Sequence, residues 1–251
     1  MANYSEIRPD ELLHHVKIPD YTRAIEHPRA LEKVASALYD KPIEKARIDP
    51  FFSYRTNVKR VNAGRRRIFY IKESYEGAVN EALGMSLSNL LVDTQFTYVF
   101  HGNTMAIDEV RGSTINKVES DHLNEHPEAY GEALELARAL NLGDRLGINI
   151  ILTDDGRIVN IDFGKLYSGM TLQCKKPRDD RKIAQGEELA KRKIATNIDK
   201  RCEELIATLR VGERLGGSKA IAGATTLNDY LSSRGYPELG QRLISGVRQD
   251  A

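Results

Sequence analysis

Leu142-Gly143-Asp144-Arg145-Leu146-Gly147-Ile148-Asn149-Ile150-Ile151-Leu152, continued through Gly156 to Ile161-Asp162-Phe163-Gly164, constrains the fold of this chain more than any other stretch. Asp144 and Asn149 bracket a loop that ends where an apolar run begins. Asp154-Asp155-Gly156 is turn chemistry between two β-type runs, Asn149 to Leu152 and Arg157 to Ile161, so the segment reads as a hairpin. Asp162 closes the second strand and falls at a position neighbouring Asn149. An amide oxygen and a carboxylate make a hard-oxygen pair suited to Mg²⁺, which takes few protein ligands and keeps phosphates and water. Asp144, nearby but outside that pair, could accept the proton of an attacking hydroxyl. Phosphoryl transfer asks for little more than a positioned metal, neutralised charge and an oriented nucleophile.

The spacing of Asp144, Asn149 and Asp162-Phe163-Gly164 resembles the catalytic loop and metal-binding motif of the protein-kinase-like superfamily. The fuller string, with Gly143-Asp144-Arg145, Asn149-Ile150, Gly156 and Ile161-Asp162-Phe163-Gly164, is most similar to the phosphoinositide 3-/4-kinase branch and related atypical kinases. The resemblance spans residues 142–164. It implies Asp144 as catalytic base, with Asn149 and Asp162 as magnesium ligands. One position departs from it. Phosphoinositide kinases usually carry His two residues after the loop Asp, and this chain has Leu146, which cannot supply polar or acid–base chemistry.

Three further segments bear on the same chemistry. Lys72 ends the apolar run Ile68-Phe69-Tyr70-Ile71, and a lysine there reaches ATP phosphates if a carboxylate holds it; a lone strand-end lysine is otherwise solvated. Glu81, followed by Ala82 and Met85, resembles the family's pairing glutamate better than Glu73 or Glu76 does. Met105-Ala106-Ile107-Asp108-Glu109-Val110-Arg111-Gly112 looks like the strand and hinge that join kinase lobes. On that reading Ile107 lines the adenine pocket, and the backbones of Asp108 and Val110 bond the adenine edge; the bland alternative is an edge strand running into a turn. Neither GxGxxG nor GxxxxGK[ST] occurs, which leaves Ser53-Tyr54-Arg55-Thr56-Asn57 as the phosphate-facing turn.

The chain-wide pattern agrees with two lobes. Leu12, Leu13 and Val16, then Leu31, Val34, Ala35 and Leu38, recur at helical spacing. Phe51-Phe52 with Tyr54, then Val58 and Val61, then Ile68 to Ile71 are short β-rich runs, with Asn62-Ala63-Gly64 as a turn. Gly77 to Val92 is apolar almost all round and reads as a helix buried on more than one side. Two strands follow, Phe96 to Phe100 and Met105 to Val110. Beyond Gly112 the chain reads as helices around the one hairpin, with four helices after residue 182. The expected fold is therefore α+β and two-lobed: a helical N-terminal extension (1–46), a small nucleotide-binding lobe (47–110) and a large catalytic lobe (111–251).

Composition limits the partners. A formal net charge of +1 gives no global field for nucleic acid or a membrane surface, so phosphate recognition must be local. Cys174 and Cys202 lack CxxC spacing, which argues against a disulfide framework and for a reducing, cytoplasmic compartment. No Sec-type leader and no transmembrane run are evident, so integral membrane association is not expected. The histidines at 14, 15, 27, 101, 122 and 126 offer no metal-ligand spacing. Lys175, Lys176, Arg178, Arg181 and Lys182 follow the Asp-Phe-Gly motif and serve either an acidic substrate or a solvated loop; Arg65-Arg66-Arg67 reads as an edge guard. The expectation is an ATP- and Mg²⁺-dependent kinase, with protein serine/threonine acceptors favoured and a phosphoinositide as the rival. A pseudokinase is the alternative of another class. A minimal kinase of this kind is compatible with a secreted bacterial effector.

Overall fold

In the computed structural model, which describes residues 28–50, 58–64, 67–72, 77–101 and 104–249, alternating side chains sort onto the two faces of one sheet. Its elements are α1 (Pro28–Leu38), β1 (Ala46–Ile48), β2 (Val58–Ala63), β3 (Arg67–Lys72), α2 (Ala78–Val92), β4 (Tyr98–His101) and β5 (Thr104–Asp108). The strands pair antiparallel in the order β1-β2-β3-β5-β4. Phe69, Ile71, Val99 and Ala106 face α1 and bury Leu31, Val34, Ala35 and Leu38. Tyr98, Met105 and Ile107, one residue out of phase, join the core built around α2. Successive residues of a strand point to opposite faces, so Lys72, paired with Met105 and next to Ile71, falls on the α2 side.

Helix α2 has little polar surface to show. Twelve of its fifteen residues are buried, the sequence expectation for a helix covered on more than one side. Its last turn leaves carbonyls without intrahelical donors. They are taken by the helix behind it: Lys193 Nζ bonds Val92 O at 2.7 Å, Asn197 Nδ2 bonds Leu91 O at 2.8 Å, and Arg201 bonds Leu90 O at 3.2 Å. Cations at a helix C-terminus also oppose its dipole.

The second half contains β6 (Gly112–Thr114), α3 (Ser120–Leu123), α4 (Pro127–Ala139), β7 (Arg145–Leu146), β8 (Ile150–Thr153), β9 (Ile158–Asn160) and β10 (Leu172–Gln173). Four helices complete it: α5 (Asp180–Lys200), α6 (Cys202–Arg214), α7 (Ala220–Ser233) and α8 (Pro237–Gln249). The chain is therefore a mixed α+β protein. The expected hairpin is present as β8–β9, with Ile150 opposite Asn160. The expectation of a single hairpin after Gly112 needs correction. β6 adds to β8, and β10 runs parallel to β7. Strands of two or three residues are too short for a period-two pattern. β6 also depends on Gly112, at φ +144°, where a Cβ would overlap the Leu152 carbonyl.

Several segments read from the sequence lie outside the described residues: Leu12, Leu13 and Val16; Phe51, Phe52 and the 53–57 turn; Arg65 and Arg66; Glu73 and Glu76; and His14, His15 and His27. Among the described residues no helix is long and apolar enough to cross a membrane.

Helices α4 and α5 approach until their backbones touch. A Cβ at Gly131 would overlap the Ile183 carbonyl, and one at Gly186 the Glu128 carbonyl. A second lock joins α4 to α7. Buried Glu135 accepts both forks of Arg234, at 2.7 and 3.0 Å, and the Tyr230 hydroxyl at 3.0 Å. Gly186→Ala should lower stability by about 1–3 kcal/mol, less the roughly 1 kcal/mol that Ala gains over Gly in a helix. Urea unfolding measures this; an unchanged or raised midpoint would mean that α4 and α5 do not meet backbone to backbone.

Candidate active site

Lys72 and Glu81 meet because β3 parity and α2 periodicity aim them at each other. Lys72 Nζ lies 2.5 Å from Glu81 Oε1. Glu81 is 1% exposed, and its Oε2 has no hydrogen-bond partner among the described residues. Burial pushes its pKa above the ordinary glutamate value; Lys72 opposes that rise, Asp162 adds to it, and Arg145 opposes it. The Lys72–Glu81 pair joins the end of β3 to helix α2, and Gly84 against Phe163 joins α2 to the Asp162 loop.

Arg145 organises the other side. The residue is 1% exposed, and its guanidinium donates to three main-chain carbonyls: Gly143 at 3.0 Å, Ile161 at 2.9 Å and Asp162 at 2.7 Å. Burial lowers its pKa, while Asp162, Asp144 and Glu81 pull it back up. The two loops it joins each carry a carboxylate on a left-handed residue, Asp144 at φ +51° and Asp162 at φ +60°. Non-glycine residues rarely occupy this region, and such strain clusters at functional sites.

Asn149 is locked into the same frame. Its Nδ2 donates to the Asp144 carbonyl at 2.8 Å, which leaves Oδ1 as the side-chain group for a cation. Its own carbonyl accepts the Ile161 N–H at 2.9 Å, one residue before Asp162. Asn149 Oδ1 and the Asp162 carboxylate are hard oxygen donors, the type that a divalent cation such as Mg²⁺ takes.

Phe163 is fully buried, edge-on to Phe96 with ring centroids 5.8 Å apart. A Cβ at Gly84 would overlap its ring, so α2 lies directly on the Asp162 loop only three residues past Glu81. The segment after Gly164 then folds back along the Asp144 loop. Gly143 N bonds Lys165 O at 3.1 Å, Arg145 N bonds Thr171 O at 2.8 Å, and Asp144 N bonds Thr171 Oγ1 at 3.1 Å. The Lys165 ammonium forms an ion pair with Asp144 Oδ2.

At the strand-to-loop junction after β5, Ile107 is buried with the α2 core. The Asp108 N–H is spent on Thr97 O at 2.9 Å, so only the Asp108 carbonyl could serve a ligand. The Asp108 side chain is held by Tyr39 Oη at 2.9 Å and Glu109 N at 2.9 Å. The backbone groups of Val110 make no hydrogen bond among the described residues.

The basic residues of the run are exposed throughout, with part of their charge already paired. Lys176 pairs with Asp180 at 3.1 Å, Lys175 reaches Val118 O at 3.4 Å, and Arg181 and Lys182 belong to α5, capped by Asp179. Arg67 stacks on the Tyr39 ring at 4.7 Å. The histidine reading also shifts: His122, Glu125 and His126 converge at the exposed α3–α4 junction, with ligand atoms within 4.8 Å of one another. Sequence reasoning missed the carbonyl-binding role of Arg145, the Lys165 contact, the Tyr39 brace and Gly84. A glycine amid an apolar helix was the one visible signal among these.

Since the Glu81 pKa is raised on folding, the folded chain binds the proton more tightly than the unfolded chain. Its contribution is fully present below the ordinary value of 4.5 and is lost as pH rises through the raised value. Glu81→Gln removes this titration. The stability of the parent minus that of Glu81→Gln should therefore fall as pH rises from acid through and beyond the ordinary carboxylate range. Urea unfolding of both proteins across pH tests it, and a flat difference would remove the buried, proton-binding Glu81.

No protein-family model matches this chain and no curated protein matches it, so its own residues carry the functional assignment.

Proposed function

We propose that this chain is an ATP- and Mg²⁺-dependent phosphotransferase with a two-lobed, protein-kinase-like fold, residues 47–110 forming the small lobe and 111–251 the large one. The observation that carries the reading is the convergence on one locus of a Lys72–Glu81 pair with the Asp162 and Asp144 loops, both clamped by Arg145. A lysine–glutamate pair beside two carboxylate-bearing loops is the kind of arrangement that phosphoryl transfer asks for.

In this reading Asn149 and Asp162 hold Mg²⁺, which when bound supplies charge neutralisation for the transferring phosphoryl group. Lys72, oriented by Glu81, engages the nucleotide phosphates. The Asp108 carbonyl and the Val110 backbone take the adenine edge, with Ile107 behind it. Asp144 accepts the proton of the acceptor hydroxyl. A serine or threonine side chain of a protein is the favoured acceptor. Ile148 and Leu172, 49% and 41% exposed, flank the Asp144 loop and offer apolar seats for residues around a target hydroxyl. A phosphoinositide headgroup would make less use of such a surface.

The test is transfer of label from γ-labelled ATP to proteins and to phosphoinositide vesicles in parallel. Asp162→Ala should abolish transfer with the fold intact. Asp144→Asn should bind Mg²⁺-ATP like the parent but transfer at least ~10²-fold more slowly, the usual scale for loss of a general base. Transfer to lipid alone would reassign the acceptor. Nucleotide binding without transfer by the parent on any substrate would make the chain a pseudokinase.

A further inference from the structure

We infer that Lys165 is a catalytic residue of this site: its ammonium contacts the phosphoryl group in flight and, before ATP arrives, covers the carboxylate of Asp144. The inference rests on the phosphotransferase reading and deepens it.

The Lys165–Asp144 pair is too exposed to be explained by stability. The two side chains are 62% and 43% exposed, and pairs open to water add little to folding. Yet both partners are held with unusual care. The Lys165 carbonyl accepts Gly143 N at 3.1 Å and Ser168 Oγ at 2.8 Å. Asp144 is fixed in the left-handed region, with its N–H on Thr171 Oγ1. Gly143 admits the crossing chain: a Cβ there would overlap Ser168 Oγ and sit 3.3 Å from Lys165 Cβ. Two loops are thus locked together by backbone bonds, with the ammonium–carboxylate pair on their solvent side.

Among the described residues no other neighbour supplies this charge. Arg145 is buried, and its recorded hydrogen bonds go to main-chain carbonyls. Lys72 is bound to Glu81. Leu146, two residues beyond Asp144, is apolar. Among the described residues Lys165 alone forms an ion pair with Asp144.

The chemistry needs a cation at that point. The acceptor hydroxyl oxygen forms a bond to the γ-phosphorus while the bond from that phosphorus to the β,γ-bridging oxygen breaks. The bridging electron pair stays on ADP, and the hydroxyl proton passes to Asp144. Charge spread over the equatorial oxygens calls for fixed positive partners. A lysine amine has three donors and a flexible stem. It can leave Asp144 for those oxygens, which uncovers the carboxylate as the acceptor enters. Lys165 keeps its protons throughout.

The experiment compares parent, Lys165→Met, Lys165→Arg and Asp162→Ala. Three quantities are measured with Mg²⁺: turnover of γ-labelled ATP, by transfer or hydrolysis; calorimetric affinity for ADP and for AMP-PNP; and thermal stability. Lys165→Met should melt with the parent and bind ADP as the parent does. It should bind AMP-PNP more weakly and turn over at least ~10²-fold more slowly, the scale for losing one preorganised charge on a transition state. Lys165→Arg should recover part of both. A merely structural lysine would change stability or ADP binding instead. Parental turnover and AMP-PNP affinity in Lys165→Met, beside an inactive Asp162→Ala, would overturn the role of Lys165 and leave the phosphotransferase standing. A parent that neither binds Mg²⁺-nucleotide nor turns it over would overturn both.

Discussion

The guanidinium of a residue that is only 1% exposed has to find partners for its donors, and Arg145 finds them in the carbonyls of Gly143, Ile161 and Asp162. That requirement draws together two loops that backbone bonds such as Gly143 N to Lys165 O also join. It also sets the charge balance: a buried cation needs nearby anions, and Asp162, Asp144 and Glu81 are the three that act on it. Removing Arg145 would strand three carbonyls and release two left-handed backbones. The geometry of both candidate acids depends on this one side chain.

Helix α2 is the second fixed part. It is covered by the sheet, by Phe163 and by the helices behind, and its last carbonyls are capped by Lys193, Asn197 and Arg201. Glu81 therefore cannot be moved without unpacking the core. The Lys72–Glu81 pair is held by this packing, which for the proposed transfer would be preorganisation of the kind that lowers reorganisation during reaction.

Around these buried fixtures the surface of the Asp144 loop is left comparatively open. Asp144, Lys165, Ile148 and Leu172 all retain substantial exposure. The division is physical. Groups that only hold a shape can be desolvated once their partners are complete, whereas groups that meet an incoming phosphate and hydroxyl must stay accessible. With a net charge of +1 the protein offers no long-range field, so on the proposed reading attraction of an anionic nucleotide would fall to this local cluster.

The sequence by itself determined the local order of much of this protein. The apolar spacing in α1, the all-round apolar α2, the Asp154-Asp155-Gly156 hairpin and the four closing helices are written in nearest-neighbour patterns, because helix and strand periods need no distant partner. The candidate acids and Asn149 were legible for the same reason, being spaced along one hairpin, and Lys72 and Glu81 because each sits at the end or start of a periodic element. Strands β6, β7 and β10 were not legible, since two or three residues carry no period and pair only because another segment arrives. The role of Arg145, the Lys165–Asp144 contact, the Tyr39 brace and the bare-backbone meeting of Gly131 and Gly186 also waited on the tertiary structure. Each depends on which carbonyl, carboxylate or ring a folded neighbour brings within reach, and no spacing along one chain records that.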